Sequence, residues 1–141
     1  MVANMALQLK EKTILVIDDE PEILELVKEF LEEEYYHVLT AISGFEGLEL
    51  LKKNKVHLVL LDIAMPKMNG LEVLMELKKN PETSTLPVLM LTGRLDTKLI
   101  MEATKIGAKD YITKPFNPNN LLKWIKVYEP YESKIQKPNS P

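Results

Sequence analysis

Polar residues that could do chemistry follow four of five short apolar segments in this 141-residue chain. They are Asp18 and Asp19 after the first segment, Asp62 and Thr92 at the ends of the third and fourth, and Lys114 after the fifth. An unpaired buried carboxylate is very costly, so Asp62 is expected at the carboxyl end of its strand and not inside it. Taken alone, this acid could simply end the strand and cap a turn. Three acids, a hydroxyl and an ammonium group together could instead bind a cation and a phosphoryl group.

Strands and helices are predicted to alternate along the chain. Runs of apolar and β-branched residues predict strands at 13–17, 37–41, 56–62, 88–92 and 111–113. Apolar residues at helical spacing predict a helix after each strand, with start signals at Pro21, Ser43–Glu46, Asn69–Gly70, Asp96 and Pro118 and an αL stop at Gly107. This alternation predicts an α/β fold with a doubly wound parallel sheet. The carboxyl ends of parallel strands lie along one edge, where the polar residues should converge.

The predicted cluster of acids indicates a bound cation. Three neighbouring carboxylates repel one another unless a positive ion lies among them. The chain has no cysteine, and His37 and His57 are expected at the opposite edge of the sheet, so the available donors are oxygens. Mg²⁺ fits this donor set best, because it takes one or two carboxylates, waters and a phosphoryl oxygen. The ion and Lys114 would supply positive charge for a phosphoryl group, to which Thr92 could form a hydrogen bond.

Length and composition predict one globular domain with a real core. The hydrophobic fraction is 45% and the charged fraction 28%, as in ordinary globular proteins. The net charge of −3 gives no general attraction to nucleic acid or to an anionic membrane, so direct DNA binding by this chain is not expected. No apolar segment approaches membrane-spanning length, and the first residues lack the layout of a secretory signal. The absence of cysteine fits a reducing compartment, and a cytoplasmic location is expected.

Several motifs resemble the receiver domain of two-component response regulators. They are Asp18-Asp19, Asp62 followed by Met65-Pro66 and Asn69-Gly70, Thr92-Gly93, and Tyr111-Ile112-Thr113-Lys114-Pro115-Phe116. The resemblance covers the expected domain at 13–128 and leaves residues 1–12 as an N-terminal arm and 129–141 as a flexible tail or linker stub. It implies a flavodoxin-like fold, in which a five-stranded sheet of order 2-1-3-4-5 lies between two helix layers.

The resemblance also implies a role for each site residue. Asp62 would be the phosphoacceptor, a carboxylate nucleophile that forms an acyl phosphate. Asp19 and Asp62 would bind Mg²⁺ directly together with the backbone carbonyl of Ala64, whereas Asp18 would act mainly through water. These roles make the expected protein a Mg²⁺-dependent phosphoryl switch.

The remaining implied roles concern the response to phosphorylation. Lys114 would pair with the phosphoryl group, and its bond to Pro115 is expected to be cis. Thr92 would move toward the phosphoryl oxygen while Tyr111 changes rotamer. The phosphoryl group would then favour one of two arrangements of an interaction face.

The expected partners are proteins. A histidine kinase or a histidine phosphotransfer protein would supply the phosphoryl group, and the receiver would act on a downstream protein target or on an output domain missing from this chain. Receivers of transcription factors often dimerise on phosphorylation through paired charges, but Lys109, Asn120 and Trp124 depart from that charge pattern. Trp124 is expected to be partly exposed, as a packing residue or as a partner contact.

Two other functions remain open from the sequence. A receiver-like domain could act as a docking module that is independent of phosphorylation. A phosphohydrolase with an aspartate nucleophile is the second, but the haloacid-dehalogenase group requires another Asp where this chain has Ala64. A dinucleotide-binding enzyme is disfavoured, because the turn after the first strand has no glycine fingerprint. The favoured interpretation is a switch that catalyses only its own phosphorylation and the hydrolysis of its own acyl phosphate, and not an enzyme with an external product.

Overall fold

Five strands alternate with five helices in the computed structural model, which describes residues 12–93 and 97–129. In chain order they are β1 Thr13–Ile17, α1 Pro21–Glu33, β2 His37–Ala41, α2 Gly44–Lys53, β3 Leu58–Asp62, α3 Gly70–Lys79, β4 Val88–Thr92, α4 Thr97–Ile106, β5 Asp110–Thr113 and α5 Pro118–Tyr128. All strand pairs are parallel, and the sheet order is β2-β1-β3-β4-β5. The predicted fold and strand order are confirmed.

The sheet is buried on both faces, as continuous apolar strands require. On one face, the core contains Leu24, Val27 and Leu31 of α1 and Leu121 and Ile125 of α5. On the other face, the core contains Val73, Leu74 and Leu77 of α3 and Ala103 of α4. Two partly buried leucines of α2, Leu48 and Leu51, pack against it. The helix layers cover the two faces of the sheet, so a polar site can form at the ends of the strands.

Most helix starts follow the predicted signals. Pro21 and Pro118 occupy the first turns of α1 and α5. Ser43 caps α2, but the Glu46 side chain accepts from the N–H of Ile42 and not from that of Ser43. A complete capping box instead begins α3, where Asn69 and Glu72 each bind the other's backbone N–H. The predicted cap at Asp96 lies outside the described residues.

Several boundaries differ slightly from the sequence prediction. β3 begins at Leu58 and not at Val56, because pairing with β1 begins at that residue. β5 begins one residue early, at Asp110. α4 ends before Gly107, whose φ of 135° is positive but more extended than the αL value that was expected.

The two histidines lie away from the acids, as expected. His37 begins β2 and His57 precedes β3, so both are at the amino ends of the strands. The His57 Nδ1 atom accepts a hydrogen bond of 3.0 Å from the N–H of Thr13. This contact ties the starts of two neighbouring strands and gives His57 a structural role.

The described ends of the chain meet beside Tyr36, a core residue that is only 5% exposed. Its hydroxyl donates to Glu129 Oε1, and Lys12 Nζ lies 3.6 Å from Glu129 Oε2. Lys126 Nζ lies 5.7 Å from the centre of the Tyr36 ring. Lys12 and Glu129 were assigned to the arm and the tail, whose other residues lie outside the described part of the chain.

Gly70 positions the loop that follows Asp62. Its N–H donates a 2.8 Å hydrogen bond to the carbonyl of Ile63. A Cβ at this position would lie 2.2 Å from the carbonyl oxygen of Asp62 and 2.7 Å from the Ile63 Cα. Because both obstacles are backbone atoms, only glycine allows α3 to begin so close to the end of β3.

No helix in the described ranges is both long and apolar enough to cross a bilayer.

Replacing Tyr36 by Phe should lower the free energy of unfolding by about 1–2 kcal/mol, because the Glu129 carboxylate loses a buried hydrogen-bond donor. Tyr35→Phe is the matched control, since the neighbouring Tyr35 side chain is 45% exposed. Urea unfolding of both variants measures the difference. Equal losses from Tyr36→Phe and Tyr35→Phe would show that the Glu129 contact contributes nothing.

Gly70→Ala should lower the free energy of unfolding by about 2 kcal/mol or more, because the new methyl group forces a backbone shift. Amide chemical shifts of Asp62 and Ile63 should move in the same variant. Gly93→Ala is the control, since a Cβ at Gly93 meets nothing within 4 Å. Unchanged Asp62 and Ile63 amides in Gly70→Ala would contradict the proposed close approach.

Candidate functional site

The acids and the lysine singled out in the sequence lie together at the carboxyl edge of the sheet. Asp18, Asp19 and Asp62 each offer an oxygen atom within 4.8 Å of the others. The Lys114 Nζ atom lies 2.7 Å from Asp18 Oδ2 and 3.5 Å from Asp62 Oδ2. The parallel order of β1, β3, β4 and β5 produces this cluster, because each strand delivers its last residues to the same edge.

Backbone contacts fix the two buried carboxylates. Asp18 follows β1, and its N–H donates to the carbonyl of Ala41, while Asp62 is the last residue of β3. Asp18 is fully buried and Asp62 is 3% exposed. The N–H of Glu20 donates to Asp18 Oδ1 at 2.9 Å. Asp18 is therefore bound on both oxygens, by a backbone amide and by Lys114.

The electrostatics of the cluster are unbalanced in favour of negative charge. Burial raises the pKa of Asp62 to about 7, and the Asp18 charge adds to this effect while Lys114 opposes it. Burial lowers the pKa of Lys114, but the hydrogen bond to Asp18 and the charges of Asp62 and Glu20 outweigh it and leave this pKa raised. Lys114 thus stays an ammonium group, yet one ammonium does not neutralise three neighbouring carboxylates.

The donor set fits a hard divalent cation. All ligand atoms in the cluster are carboxylate oxygens, which Mg²⁺ and similar ions prefer. A cation among them would oppose both the burial and the carboxylate repulsion that raise the pKa of Asp62. Ala64, whose carbonyl was expected to join the ion, lies in the loop two residues after Asp62 and is exposed.

Thr92 lies at the same edge of the sheet. It is the last residue of β4 and is 6% exposed, and it pairs in register with Thr113. Its carbonyl accepts a 2.8 Å hydrogen bond from the N–H of Lys114. The Lys114–Pro115 peptide bond is cis, the geometry that the resemblance implied.

Tyr111 lies outside the cluster. Its side chain is 38% exposed, and it lines a cavity of about 340 Å³ together with Phe116, Asn120 and Trp124. Trp124 is partly exposed, as expected, at 37%, and its ring stacks on that of Tyr128 at a centroid distance of 6.3 Å. Thr113 and Pro115, the chain neighbours of Lys114, also line this cavity, whereas Lys114 does not.

Glu20 is a member of the site that the sequence analysis missed. Its Oε1 atom lies 3.4 Å from Lys114 Nζ, and its side chain is 56% exposed. Glu20 directly precedes α1, where the helix dipole also favours a negative charge. The unbroken acidic run from Asp18 to Glu20 could have indicated it, because this run places a third acid just after β1.

Three comparisons with known proteins agree with this geometry. The family model described as the response regulator receiver domain matches residues 14–126. The transcriptional regulatory protein CpxR of Klebsiella pneumoniae is 44% identical over 117 residues, which cover 81% of this chain and 47% of that protein. The chemotaxis protein CheY4 of Vibrio cholerae is similar in structure, with a TM-score of 0.80 and 31% identity, covering 82% of this chain and 97% of that one.

A longer relative matches this chain over only part of its own length. A probable cyclic di-GMP phosphodiesterase of Vibrio cholerae is 40% identical over 107 residues, which cover 76% of this chain but 24% of that protein. The chain thus spans about half of the length, or less, of these two curated relatives. From the family match and the shared fold, this chain belongs to the receiver domain family of two-component response regulators, whose general function is to accept a phosphoryl group on an aspartate.

Proposed function

We propose that Asp62 is the phosphoacceptor of this receiver. The observation that supports it most strongly is the 3.5 Å contact between Asp62 Oδ2 and the Lys114 ammonium group at the open edge of the sheet. Asp18 is a poorer nucleophile, because it is fully buried and bound on both oxygens. Asp62 ends the central strand of the sheet, where a donor can approach along the strand direction.

The proposed reaction is transfer of a phosphoryl group to the Asp62 carboxylate. A carboxylate oxygen bonds to phosphorus, and the bond from phosphorus to the donor breaks, which is a P–N bond in phosphohistidine and a P–O bond in an acyl phosphate. The donor leaves with the bonding electron pair, and the imidazole of the kinase then takes up a proton. Lys114 stabilises the negative charge on the phosphoryl oxygens, while Asp18 positions Lys114.

A Mg²⁺ ion would be held by Asp19, Asp62 and the Ala64 carbonyl, with Asp18 acting through water. The bound ion would neutralise carboxylate and phosphoryl charge during the transfer. The cluster of oxygen donors and the raised pKa of Asp62 support this assignment.

The proposed output is a change of protein contacts. The Thr92 hydroxyl would bind the new phosphoryl group, and the exposed Tyr111 would change rotamer beside its cavity. The phosphoryl group needs to stabilise one arrangement over the other by only a few kcal/mol to shift the population between them. A dimer that forms on phosphorylation would be one form of this output.

A histidine kinase or phosphotransfer protein is the proposed donor, and a cytoplasmic location is proposed with it. The proposed target is a downstream protein or an output domain, since two of the relatives that match are longer than this chain. Apart from its own labelling and hydrolysis, the chain is proposed to have no enzymatic activity, nucleic-acid binding or membrane binding.

Incubation with a small acyl-phosphate donor and Mg²⁺ should add one phosphoryl group, and peptide mapping should place it on Asp62. Asp62→Asn should abolish the label, since an amide is not a nucleophile here, and EDTA should reduce it by about tenfold or more. Intact-mass spectrometry measures the stoichiometry.

Glu22→Gln is the control for this labelling, because Glu22 is an exposed acid in the first turn of α1. It should label as the wild type does. A label on Asp18 or Asp19, or full labelling of Asp62→Asn, would contradict the assignment. A wild-type protein that binds Mg²⁺ but never labels would favour the docking module.

The metal-free protein should lose stability as the pH rises from about 4 to about 7, because the folded state holds a proton on Asp62 that the unfolded state releases. Asp62→Asn should remove this loss. At about pH 8 the variant should be more stable by about 2 kcal/mol, roughly half of what the shift from 3.8 to about 7 gives without solvent screening.

Urea unfolding at several pH values, with and without Mg²⁺, measures this difference. Mg²⁺ should stabilise the wild type more than Asp62→Asn and should bind more weakly below about pH 7, because it requires the carboxylate form. Glu22→Gln should follow the wild-type pH profile. A gain in Asp62→Asn that is equal at low and high pH would show that charge burial is not its cause.

A further inference from the structure

Three carboxylates share the Lys114 ammonium group, and they differ in their access to solvent. Asp18 Oδ2 lies at 2.7 Å, Glu20 Oε1 at 3.4 Å and Asp62 Oδ2 at 3.5 Å. The Asp18 and Asp62 side chains are almost fully buried, whereas that of Glu20 is 56% exposed. Glu20 therefore contacts Lys114 from the solvent-exposed side of the site.

Helix capping does not account for the Glu20 side chain. The residue is the N-cap of α1, yet its side chain makes no capping hydrogen bond. Its backbone is held on both sides, because its N–H donates to Asp18 Oδ1 and its carbonyl accepts from the N–H groups of Ile23 and Leu24. The Glu20 backbone is thus fixed beside the site, and its exposed carboxylate contacts Lys114.

We propose that Glu20 is a positioning residue that controls the entry of phosphoryl donors by their charge. In the unphosphorylated protein its carboxylate occupies the exposed side of Lys114 and adds a negative charge to the approach path. An incoming phosphoryl group must displace it to reach Lys114. This inference rests on the proposed phosphorylation of Asp62.

The strength of the Glu20–Lys114 ion pair and the repulsion between Glu20 and the donor set the expected change in labelling rate. An exposed ion pair contributes little free energy, so the phosphoryl group can replace the Glu20 carboxylate without a large barrier. The repulsion between Glu20 and an anionic donor acts before contact and is weakened by salt. The effect should therefore be strongest for dianionic donors at low ionic strength.

Glu20→Gln is the decisive variant, with Glu22→Gln as the control of equal charge on the same helix turn. Labelling of Asp62 by acetyl phosphate, a dianion, is followed by quenched intact-mass time courses at saturating Mg²⁺. Glu20→Gln should raise kcat/KM about three- to tenfold at low salt, mainly through a lower KM, and high salt should remove most of this gain. Phosphoramidate, which carries one negative charge less, should gain less.

Further measurements separate charge from other roles of Glu20. Glu20→Asp keeps the negative charge and should stay within about twofold of the wild type, and Glu22→Gln should do the same. Thermal unfolding checks that the variants are folded. A Mg²⁺ titration of unphosphorylated Glu20→Gln should give the wild-type affinity.

The outcomes distinguish this inference from the proposed function. If the wild type labels at Asp62 and Glu20→Gln reacts like Glu22→Gln at all salt concentrations, the role of Glu20 is refuted and the phosphoacceptor stands. Slower labelling with weaker Mg²⁺ binding would make Glu20 a metal ligand and also refute the inference. A wild type that does not label at Asp62 would overturn both.

Discussion

The contacts of the Lys114 ammonium group with the carboxylates of Asp18 and Asp62 are the interaction on which the site depends. Three acids at a buried sheet edge are unfavourable, because burial and mutual repulsion both oppose their ionisation. Lys114 offsets part of this cost, as its 2.7 Å contact with Asp18 shows. The remaining imbalance, seen in the pKa of about 7 for Asp62, is what makes the edge receptive to further positive charge. A domain that accepts a phosphoryl group with a cation uses this imbalance directly.

The fold holds this unfavourable cluster in place through backbone contacts close to it. Gly70 lets α3 begin against the Asp62 and Ile63 backbone, and the hydrogen bond from the Lys114 N–H to the Thr92 carbonyl ties β5 to β4. At the far side of the domain, Tyr36 and Glu129 join the start of β2 to the end of α5. The stability of the two helix layers thus supports a site that is itself a source of instability.

Much of this organisation could be predicted from the sequence. The strand segments and the polar residues at the ends of four of them predicted one edge and one cluster, because the carboxyl ends of parallel strands lie along one edge. The strand order came from resemblance. Contacts between distant residues could not be read from spacing: Tyr36 and Glu129 are 93 positions apart and Glu20 and Lys114 are 94 apart. The positive φ of 67° at Lys67, in the loop after β3, was also missed, because lysine is not one of the residues that favour this conformation.

A structure of the protein with Mg²⁺ and beryllium trifluoride, a stable mimic of a phosphoryl group, tests the central claim most directly. The account predicts beryllium bonded to a carboxylate oxygen of Asp62, the metal ion between Asp19 and Asp62, and Lys114 in contact with a fluorine atom. Beryllium trifluoride on another carboxylate, or an ion bound away from these acids, would contradict it.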